Sequence, residues 1–488
     1  MIQLVLLAGL AAPPPLAPLA LAPVRDSVSA AATLAPAARD SARAAVNATA
    51  AGGDSARAVS PAARAASRDS AATVPGALRD SSGAAIATPG VPGGDSLARE
   101  GRGAAGADVA PGPLLDYLWV LRSAIGTPEE VLQVVERAQA MGVRGLLVQV
   151  VARGDAFYRS DVLPRAESLR DSTFDPLATL LPLAHTAGLE VQAWVNCAVV
   201  WSGPRPPRSP RHVLNAHPEW VVRVPGGRPM STLSPYELRR LRVEGVFLSP
   251  AHRGMRTWVA RIAGEIAGRY PVDGIHLDYI REPGLSLASD PMMRAGFMWR
   301  TGIDPERIAR LPLARRAAAD SAWVAWQVEQ VTAIVREVRD SLERVRPGML
   351  LSAAVLPDTV AARRHKGQAW TDWVREGLID RAFVMCYAPI VRTVHDQMLG
   401  YASGLGTDGR VVPGIAVYNS PPSHAAAKIK AAAALGYPML ALYSYDSLYS
   451  RSGYWTALQR QLAPARAAAP APSHAPPGRD TGGTWTRR

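Results

Sequence analysis

Cysteine, lysine and aromatic residues are all scarce in this chain of 488 residues. Two cysteines, Cys197 and Cys386, are too few for the disulfide framework that stabilises small secreted domains. They fall at the ends of the third and sixth predicted strands, on opposite sides of the barrel inferred below, where a bridge would exceed the ~7 Å limit on Cα separation. We therefore expect two free, buried thiols.

Basic residues exceed acidic ones, but they form no concentrated patch. The formal net charge is +13, and lysine occurs only at positions 366, 428 and 430, so almost all of the positive charge is arginine. The sequence has no basic run with interleaved aromatics, no zinc-finger spacing and no helix-turn-helix pattern, which argues against nucleic acid as a partner. Diffuse positive charge is compatible with attraction to an anionic cell envelope.

Long apolar runs are also missing after the first residues. Residues 1–23 form an apolar, proline-containing stretch that is typical of a secretory signal peptide, although no positive charge precedes it. No later run reaches the ~20 residues of a membrane span. We expect an exported protein, periplasmic or extracellular; the alternative is a disordered start in a cytoplasmic protein.

Residues 24–112 contain no aromatic residue and repeat the triplet Arg-Asp-Ser four times. Such a composition buries too little apolar surface to offset chain entropy, which predicts a disordered linker rich in Ala, Pro, Arg and Ser. Residues 464–488 have the same composition and predict a disordered tail. One folded domain is thus expected over residues 113–463.

Within that domain, strand patterns alternate with helix patterns. One helix is marked by Thr127-Pro128 at its start and Gly142 after its end, which are N-cap, first-turn and C-cap signals. About eight strand-helix units predict an α/β fold, a (β/α)8 TIM barrel with long βα-loop insertions. The predicted strands are 115–121, 145–151, 189–196, 272–281, 349–355, 381–387, 411–418 and 438–445.

The fourth of these strands carries the best candidate for a catalytic group. Its alternation places His276 and Asp278 on one face, at the end of the strand that would line the barrel mouth. Buried charge is costly without a partner, so a carboxylate there predicts function. The structural alternative is that Asp278 caps the next loop or pairs with Arg281.

Several motifs, taken in order, resemble the glycosyl-hydrolase-like 10 family of bacterial envelope and secreted proteins with a TIM barrel. They are Gln149-Val150, Arg153-Gly154-Asp155-Ala156, Ala193-Trp194-Val195-Asn196, His217-Pro218-Glu219-Trp220, Leu248-Ser249-Pro250, the segment 273–281, Ser352-Ala353-Ala354-Val355 and the segment 376–380. The resemblance implies a carbohydrate-active enzyme, and some relatives act on the glycan of peptidoglycan.

A more distant likeness to family 18 chitinases fails at one place. Ile280 stands where those enzymes carry the acidic Glu of their D-x-x-D-x-D-x-E strand, and Ala388 stands where their M-x-Y-D motif has Asp. We therefore expect no substrate-assisted cleavage of the chitinase kind.

Glycoside hydrolysis ordinarily requires two carboxyl groups flanking the bond. Asp278 is the expected nucleophile or base, and the candidates for its partner are Asp358, Glu282 and Asp446, in that order. Asp358 has the alternative of capping a helix or turn, and Glu282 of pairing with Arg281.

Other residues at the strand ends and in the loops are candidates for substrate binding. His276 is expected to orient Asp278 by a hydrogen bond, with a satisfied core histidine as the alternative. Tryptophans 370 and 373 could also offer a face to a sugar ring, with core packing as the alternative. The remaining candidates are Asn196, Tyr387, Arg153, Asp155, Trp201, His252 and Tyr418.

No metal or cofactor is predicted, because His252, His276 and Asp278 lack a recognised ligand spacing. The sequence thus favours an exported glycoside hydrolase acting on a cell-wall (peptidoglycan-like) or related polysaccharide or oligosaccharide. The alternatives are a catalytically inactive barrel that binds glycan and, less favoured by the ligand spacing, a metal-dependent hydrolase of another polymer. The sequence predicts no particular oligomeric state.

Overall fold

The computed structural model describes residues 115–467 apart from residues 170, 172 and 204. The predicted signal segment 1–23, the linker 24–112 and residues 468–488 of the predicted tail lie outside the described residues, whereas residues 464–467 of that tail belong to a helix. Both cysteines are free and buried, as expected. Among the described helices, none is long and apolar enough to cross a membrane.

Eight parallel strands close into a barrel, which confirms the predicted fold. Around the ring their order is β1-β10-β9-β8-β7-β6-β3-β2, and a separate antiparallel pair is formed by β4 and β5. The strands are β1 (Tyr117–Val120), β2 (Gly145–Val151), β3 (Glu190–Asn196), β4 (Val199–Trp201), β5 (Val246–Phe247), β6 (Gly274–Asp278), β7 (Leu350–Val355), β8 (Arg381–Cys386), β9 (Val411–Ala416) and β10 (Ala441–Tyr443).

Helices follow most strands along the chain. They are α1 (Pro128–Met141), α2 (Pro176–Thr186), α3 (Val213–Ala216), α4 (Pro235–Arg240), α5 (Arg253–Arg269), α6 (Pro291–Thr301), α7 (Leu313–Val345), α8 (Thr359–Lys366), α9 (Trp370–Arg375), α10 (Val391–Leu405), α11 (Pro422–Ala434), α12 (Tyr445–Tyr449) and α13 (Tyr454–Ala467). Short 3-10 turns lie at Arg122–Ala124, Pro218–Trp220, Met230–Thr232 and Pro305–Arg310.

Local signals fix the ends of α1 as the sequence predicts. The Thr127 hydroxyl accepts a hydrogen bond from the Glu130 amide at 3.2 Å, and the Glu130 carboxylate accepts one from the Thr127 amide at 3.1 Å. Gly142 ends the helix with φ 67°, a left-handed conformation that glycine adopts without steric cost.

Two insertions interrupt the regular strand-helix alternation. The first, between β3 and α5, contains the β4–β5 pair and the short helices α3 and α4. The second, between β6 and α7, contains α6, whose start at Asp290-Pro291 and end at Gly302 carry ordinary capping signals. Both insertions leave the barrel from the carboxyl ends of strands, the side on which barrel enzymes place their active sites.

The barrel interior is filled by aromatic and aliphatic side chains. Trp119, Trp194 and Phe383 are at most 3% exposed and pack together inside the ring of strands. The Trp119 ring passes so close to Gly414 that a Cβ atom at that position would lie 2.7 Å from it. The interior of the barrel is therefore a packed core, and the candidate site can lie only above it, at the carboxyl ends of the strands.

Candidate active site

Asp278 is the last residue of β6 and pairs in register with Asn196, the last residue of β3. Because neighbouring parallel strands end at the same level, these two side chains are brought together at the carboxyl end of the barrel. Asp278 is 7% exposed. The structure therefore places the predicted carboxylate at the rim of the core, where the sequence expects it.

Two donors hold the Asp278 carboxylate. The Trp194 indole donates to Oδ2 at 3.1 Å, and the Tyr279 backbone amide donates to Oδ1 at 2.6 Å. Tyr279 has φ 50°, a left-handed conformation that costs a non-glycine residue about 1–3 kcal/mol. This strained conformation occurs where the Tyr279 amide turns back to donate to the Asp278 carboxylate.

Burial dominates the protonation of Asp278. Desolvation raises the pKa of its carboxyl to about 6, opposed by the positive charge of Arg281 and by the two hydrogen bonds. The negative charge of Glu244 raises the pKa further. Arg281 thus acts through its charge, since the described contacts include no ion pair between Arg281 and Asp278. The group can give and take a proton at near-neutral pH, which is the property required of a general acid.

His276 does not orient Asp278, and that prediction is wrong. It is fully buried one layer below, where Nε2 accepts from the Trp119 indole at 3.1 Å and Nδ1 lies 2.8 Å from the Ser352 hydroxyl. Indole can only donate, so the proton sits on Nδ1 and is donated to Ser352, whose hydroxyl in turn donates to Gln192 at 2.7 Å. Burial lowers the pKa of His276 to about 3. The alternative of a satisfied core histidine is the observed one, and such a residue cannot touch substrate.

Aromatic rings line the space beside Asp278. The rings of Tyr387 and Tyr443 lie 5.1 Å apart, and the Tyr443 ring lies 5.9 Å from Trp119 and 6.5 Å from Trp194. Tyr418 meets both tyrosines edge-on and is 49% exposed. The five rings thus run from the packed core to the solvent, an arrangement suited to apolar contact with sugar rings.

Amide side chains at the strand ends leave acceptors free. Asn196 donates to the Ala152 carbonyl at 3.0 Å, and Asn419 donates to the Tyr387 carbonyl at 2.7 Å. The Oδ1 atoms of both asparagines are buried and have no hydrogen-bond partner among the described residues. A hydroxyl group of a ligand would satisfy such an acceptor, because an unpaired buried polar atom costs free energy.

The loop after β2 places Arg153 and Asp155 near the same rim. The Asp155 carboxylate accepts from the Arg153 amide at 3.3 Å, and burial raises its pKa against the charge of Arg122. Arg122 donates to the Gln149 side chain at 3.4 Å, and burial lowers its pKa to about 10. This loop therefore adds the buried carboxyl group of Asp155 to the strand ends.

The three predicted partners of Asp278 are each engaged elsewhere. Asp358 is exposed and caps α8, accepting a hydrogen bond from the Ala361 amide at 2.8 Å, which is the structural alternative foreseen for it. Asp446 accepts from the Leu121 amide at 3.2 Å and from the Ser123 hydroxyl at 3.1 Å. The described contacts join neither of them to Asp278.

Glu282 points into the protein interior. It is fully buried and accepts a hydrogen bond from Gln327 of α7 at 2.6 Å, and burial raises its pKa to about 8. The predicted alternative, a surface pair with Arg281, is also wrong, because Arg281 pairs with Glu244 at 3.1 Å. Glu282 is thus a buried acid against an outer helix.

The remaining predicted binding residues lie in the first insertion. Trp201 donates to the Arg205 carbonyl at 2.8 Å and lines a cavity of about 400 Å³. His252 lies 5.3 Å from the Trp220 ring, at a tilt. The interpretation of the other tryptophans as sugar platforms is wrong, since Trp370 and Trp373 are at most 1% exposed.

Four residues that contribute to the site were not among the candidates from the sequence, and one of them, Asn419, directly follows the predicted strand 411–418. Trp194 shares a strand face with Asn196, so the alternation of β3 was a signal for it. Tyr443 lies in a predicted strand, and no pattern distinguished it from neighbouring tyrosines. Glu244 lies in an insertion without periodicity and gave no signal.

A barrel closed by eight parallel strands, with a buried carboxyl group and aromatic side chains at its mouth, defines a TIM barrel with its candidate site at the carboxyl ends of the strands. The family model described as glycosyl hydrolase-like 10 matches residues 120–400. The chain therefore belongs to the glycosyl hydrolase-like 10 family, as its motifs indicate.

Curated relatives share this part of the sequence. The glycosyl hydrolase DigH of Escherichia coli is 22% identical over 293 residues, which cover 53% of this chain and 58% of DigH. The glycosyl hydrolase YngK of Bacillus subtilis is 22% identical over 292 residues, covering 55% of this chain and 51% of YngK. The match thus spans only a little over half the length of each relative.

Solved structures share the fold at lower identity. The PgaB (BpsB) glycoside hydrolase domain of Bordetella bronchiseptica superposes with a TM-score of 0.52 at 16% identity, covering 70% of this chain and 98% of that domain. An alpha-L-fucosidase of Paenibacillus thiaminolyticus gives 0.50 at 14% identity, covering 72% and 50%. These likenesses establish the TIM barrel.

Proposed function

We propose that the protein is an exported glycoside hydrolase that cleaves glycosidic bonds in a bacterial cell-wall (peptidoglycan-like) or related polysaccharide. The observation that carries the proposal is Asp278, a carboxyl group with a pKa of about 6 at the rim of an aromatic-lined barrel. The family supports a carbohydrate substrate. The apolar residues 1–23 support export.

In this proposal Asp278 is the general acid, and not the nucleophile or base that the sequence led us to expect, because burial raises the pKa of its carboxyl to about 6. Its protonated form donates to the glycosidic oxygen as the bond to the anomeric carbon breaks, and burial keeps a useful fraction protonated near neutral pH. Tyr387, Tyr418 and Tyr443 contact the sugar ring, and the free Oδ1 atoms of Asn196 and Asn419 accept hydrogen bonds from its hydroxyls.

The test is to incubate the full-length protein with purified peptidoglycan glycan strands and to measure new reducing ends. We expect release by the wild type and a loss of about 10²–10⁴-fold in Asp278→Asn, the usual contribution of a general acid. Asp358→Asn is the matched control, because it makes the same change at a neighbouring strand end and its amide oxygen can still cap α8.

Saturable binding of glycan without release would overturn the hydrolase proposal and support the second candidate, an inactive glycan-binding barrel. Ile280 favours that candidate, since it occupies the position of the acidic Glu in the chitinase-like strand. Equal release by wild type and Asp278→Asn would remove Asp278 from the chemistry.

A further inference from the structure

Two arginines follow neighbouring strands at the mouth of the barrel. Arg122 comes two residues after β1, and Arg153 comes two residues after β2. These strands pair in register, with Val120 beside Val148, so the segments that follow them leave the same edge of the barrel side by side. Both arginine side chains are half-buried, and the positive charge of Arg153 lowers the pKa of Arg122, which supports their closeness.

Neither arginine has a hydrogen-bonded acid as its partner. Arg122 donates to the Gln149 side-chain oxygen at 3.4 Å, the one side-chain hydrogen bond that it forms among the described residues. The Nε atom of Arg153 is buried without a hydrogen-bond partner among those residues. A guanidinium group has five N–H donors, and a half-buried charge without a counter-charge costs free energy. Both side chains therefore have donors left for an anion.

Asp155, in the loop after β2, pairs with neither guanidinium group. Its Oδ1 atom accepts from the Arg153 backbone amide at 3.3 Å, and the described residues show no ion pair between this carboxyl group and either arginine. Burial raises the pKa of Asp155, which favours its neutral form. At the ends of β1 and β2, two positive groups are thus accompanied by one partly neutralised acid.

The segment that carries Arg122 is fixed on both sides by one carboxylate. The Leu121 amide donates to Asp446 Oδ2 at 3.2 Å, and the Ser123 hydroxyl donates to Oδ1 at 3.1 Å. These two contacts flank Arg122 in the chain. Asp446, a candidate catalytic partner from the sequence, is therefore a positioning residue for this arginine.

Arg153 is fixed through its backbone by His212, the residue before α3. The Arg153 carbonyl oxygen lies 2.6 Å from His212 Nε2, and the Leu214 amide donates to Nδ1 at 3.2 Å. Because Nδ1 accepts, Nε2 carries the proton that is donated to the carbonyl. Gly154 has φ 70°, and a Cβ atom there would lie 2.8 Å from Nε2. A larger residue at 154 would thus displace the imidazole that holds Arg153.

Hydrogen bonds and strand pairing join the arginines to the candidate site. Gln149, the acceptor of Arg122, pairs in register with Trp194, whose indole donates to Asp278. Asn196, on the same strand as Trp194, donates to the carbonyl that precedes the second arginine. Its own Oδ1 is buried and has no partner among the described residues. A ligand that meets Asp278 would therefore lie beside both loops.

We propose that Arg122 and Arg153 bind a carboxylate of the substrate, so that the glycan cleaved in this barrel is one whose sugars carry acidic groups. The inference rests on the proposed function, because it names the kind of sugar that lies beside Asp278. A carboxylate accepts two parallel hydrogen bonds from a guanidinium group, and its charge compensates that of the arginines. A neutral sugar would leave these donors unpaired, which selects against neutral polysaccharides.

The experiment measures kcat/KM of the full-length protein on two forms of the same glycan strands. One form has free carboxylates, and in the other they have been converted to neutral amides. We expect the wild type to prefer the acidic form about 10- to 100-fold, the usual effect of a hydrogen bond to a charged group. Arg122→Gln and Arg153→Gln should lose most of this preference. Arg144→Gln, an exposed arginine just before β2, is the matched control and should keep it.

Two further variants separate recognition from folding. Arg122→Lys keeps the charge but not the planar pair of donors, so it should keep part of the preference. Asp446→Ala releases the segment around Arg122, so it should lower activity on the acidic form and leave activity on the amide form nearly unchanged. Thermal unfolding checks that each variant is folded. Equal losses of Asp446→Ala on the two forms would overturn the positioning role of Asp446.

Equal cleavage of the two forms by an active wild type would overturn this inference and leave the proposed function standing. An acid preference that persists in both Gln variants would also overturn it, because other groups would then recognise the charge. Calorimetric titration covers a wild type that cleaves neither form. Tighter binding of the acidic form that depends on the two arginines would then overturn only the hydrolase, and equal binding would overturn both proposals.

Discussion

Two side chains on the same face of β6, His276 and Asp278, lie two residues apart and in opposite kinds of surroundings. His276 is enclosed by partners that form one uninterrupted chain of hydrogen bonds, from Trp119 through the imidazole to Ser352 and Gln192. Around Asp278, by contrast, the Oδ1 atom of Asn196 and the Nε atom of Arg281 are buried without a partner among the described residues.

The comparison separates stability from function within a single strand. Burial shifts both groups towards their neutral forms, lowering the pKa of His276 to about 3 and raising that of Asp278 to about 6. Only the second value lies where a proton can be exchanged near neutral pH. The lower layer, around His276, is therefore a polar part of the core. The upper layer, around Asp278, is a site with polar atoms that lack a hydrogen-bond partner among the described residues.

The sharpest test of the upper layer is the pH dependence of activity. If the protonated form of Asp278 is the acid, kcat/KM should be highest below pH 6 and fall about tenfold per pH unit above it, because the neutral fraction falls in that proportion. Reducing-end assays between pH 4 and pH 9 measure this. A rate that rises through pH 6 would assign Asp278 as base or nucleophile instead.

A substitution in the lower layer should lower the free energy of unfolding. His276→Phe removes the acceptor of the Trp119 indole and leaves a buried donor unpaired, at a cost of about 1–3 kcal/mol in the free energy of unfolding. Urea denaturation measures the loss. His424→Phe, at an exposed position of α11, should change stability by less than about 0.5 kcal/mol. An unchanged stability of His276→Phe would break the comparison.

The outermost ring should affect binding alone. Tyr418 is 49% exposed, so Tyr418→Ala should leave stability nearly unchanged but weaken glycan binding by about 0.5–1.5 kcal/mol, the usual gain from a specific aromatic contact. Calorimetric titration with oligosaccharide measures the difference. Tyr236→Ala, an exposed tyrosine of α4, is the control, and equal effects of the two would argue against a role for Tyr418.

The smallest effect is expected at Asp358, whose carboxylate caps a helix. Asp358→Ala should lower the free energy of unfolding by about 1 kcal/mol and leave kcat/KM unchanged, because the hydrogen bond to the Ala361 amide is lost. Thermal unfolding and the reducing-end assay measure the two quantities. A large loss of activity would return Asp358 to the list of catalytic candidates.

Local signals explain which parts of the fold could be predicted. Strand β2 and helix α1 have the predicted bounds, because the apolar run of 145–151 and the signals at Thr127, Pro128 and Gly142 act within a few residues. Strands β4 and β5 were not predicted. They have three and two residues and pair across more than 40 positions, so no local pattern marks them.

The candidate site divides in the same way. Asp278 could be found because it belongs to a regular strand with a clear alternation. Its relation to Glu244 depends on how an insertion of irregular sequence folds back onto Arg281, which only the tertiary structure shows. The alternation of β6 likewise gave the face of His276 correctly, but not its partners, which strands β1 and β7 supply.

Gly414 has a consequence for the packing inside the barrel. Its missing side chain gives the Trp119 indole room inside the ring of strands, because a Cβ atom at this position would lie 2.7 Å from that ring. An alanine there would force the Trp119 indole to move, so the packing beneath the candidate site depends on a buried position that bears no side chain.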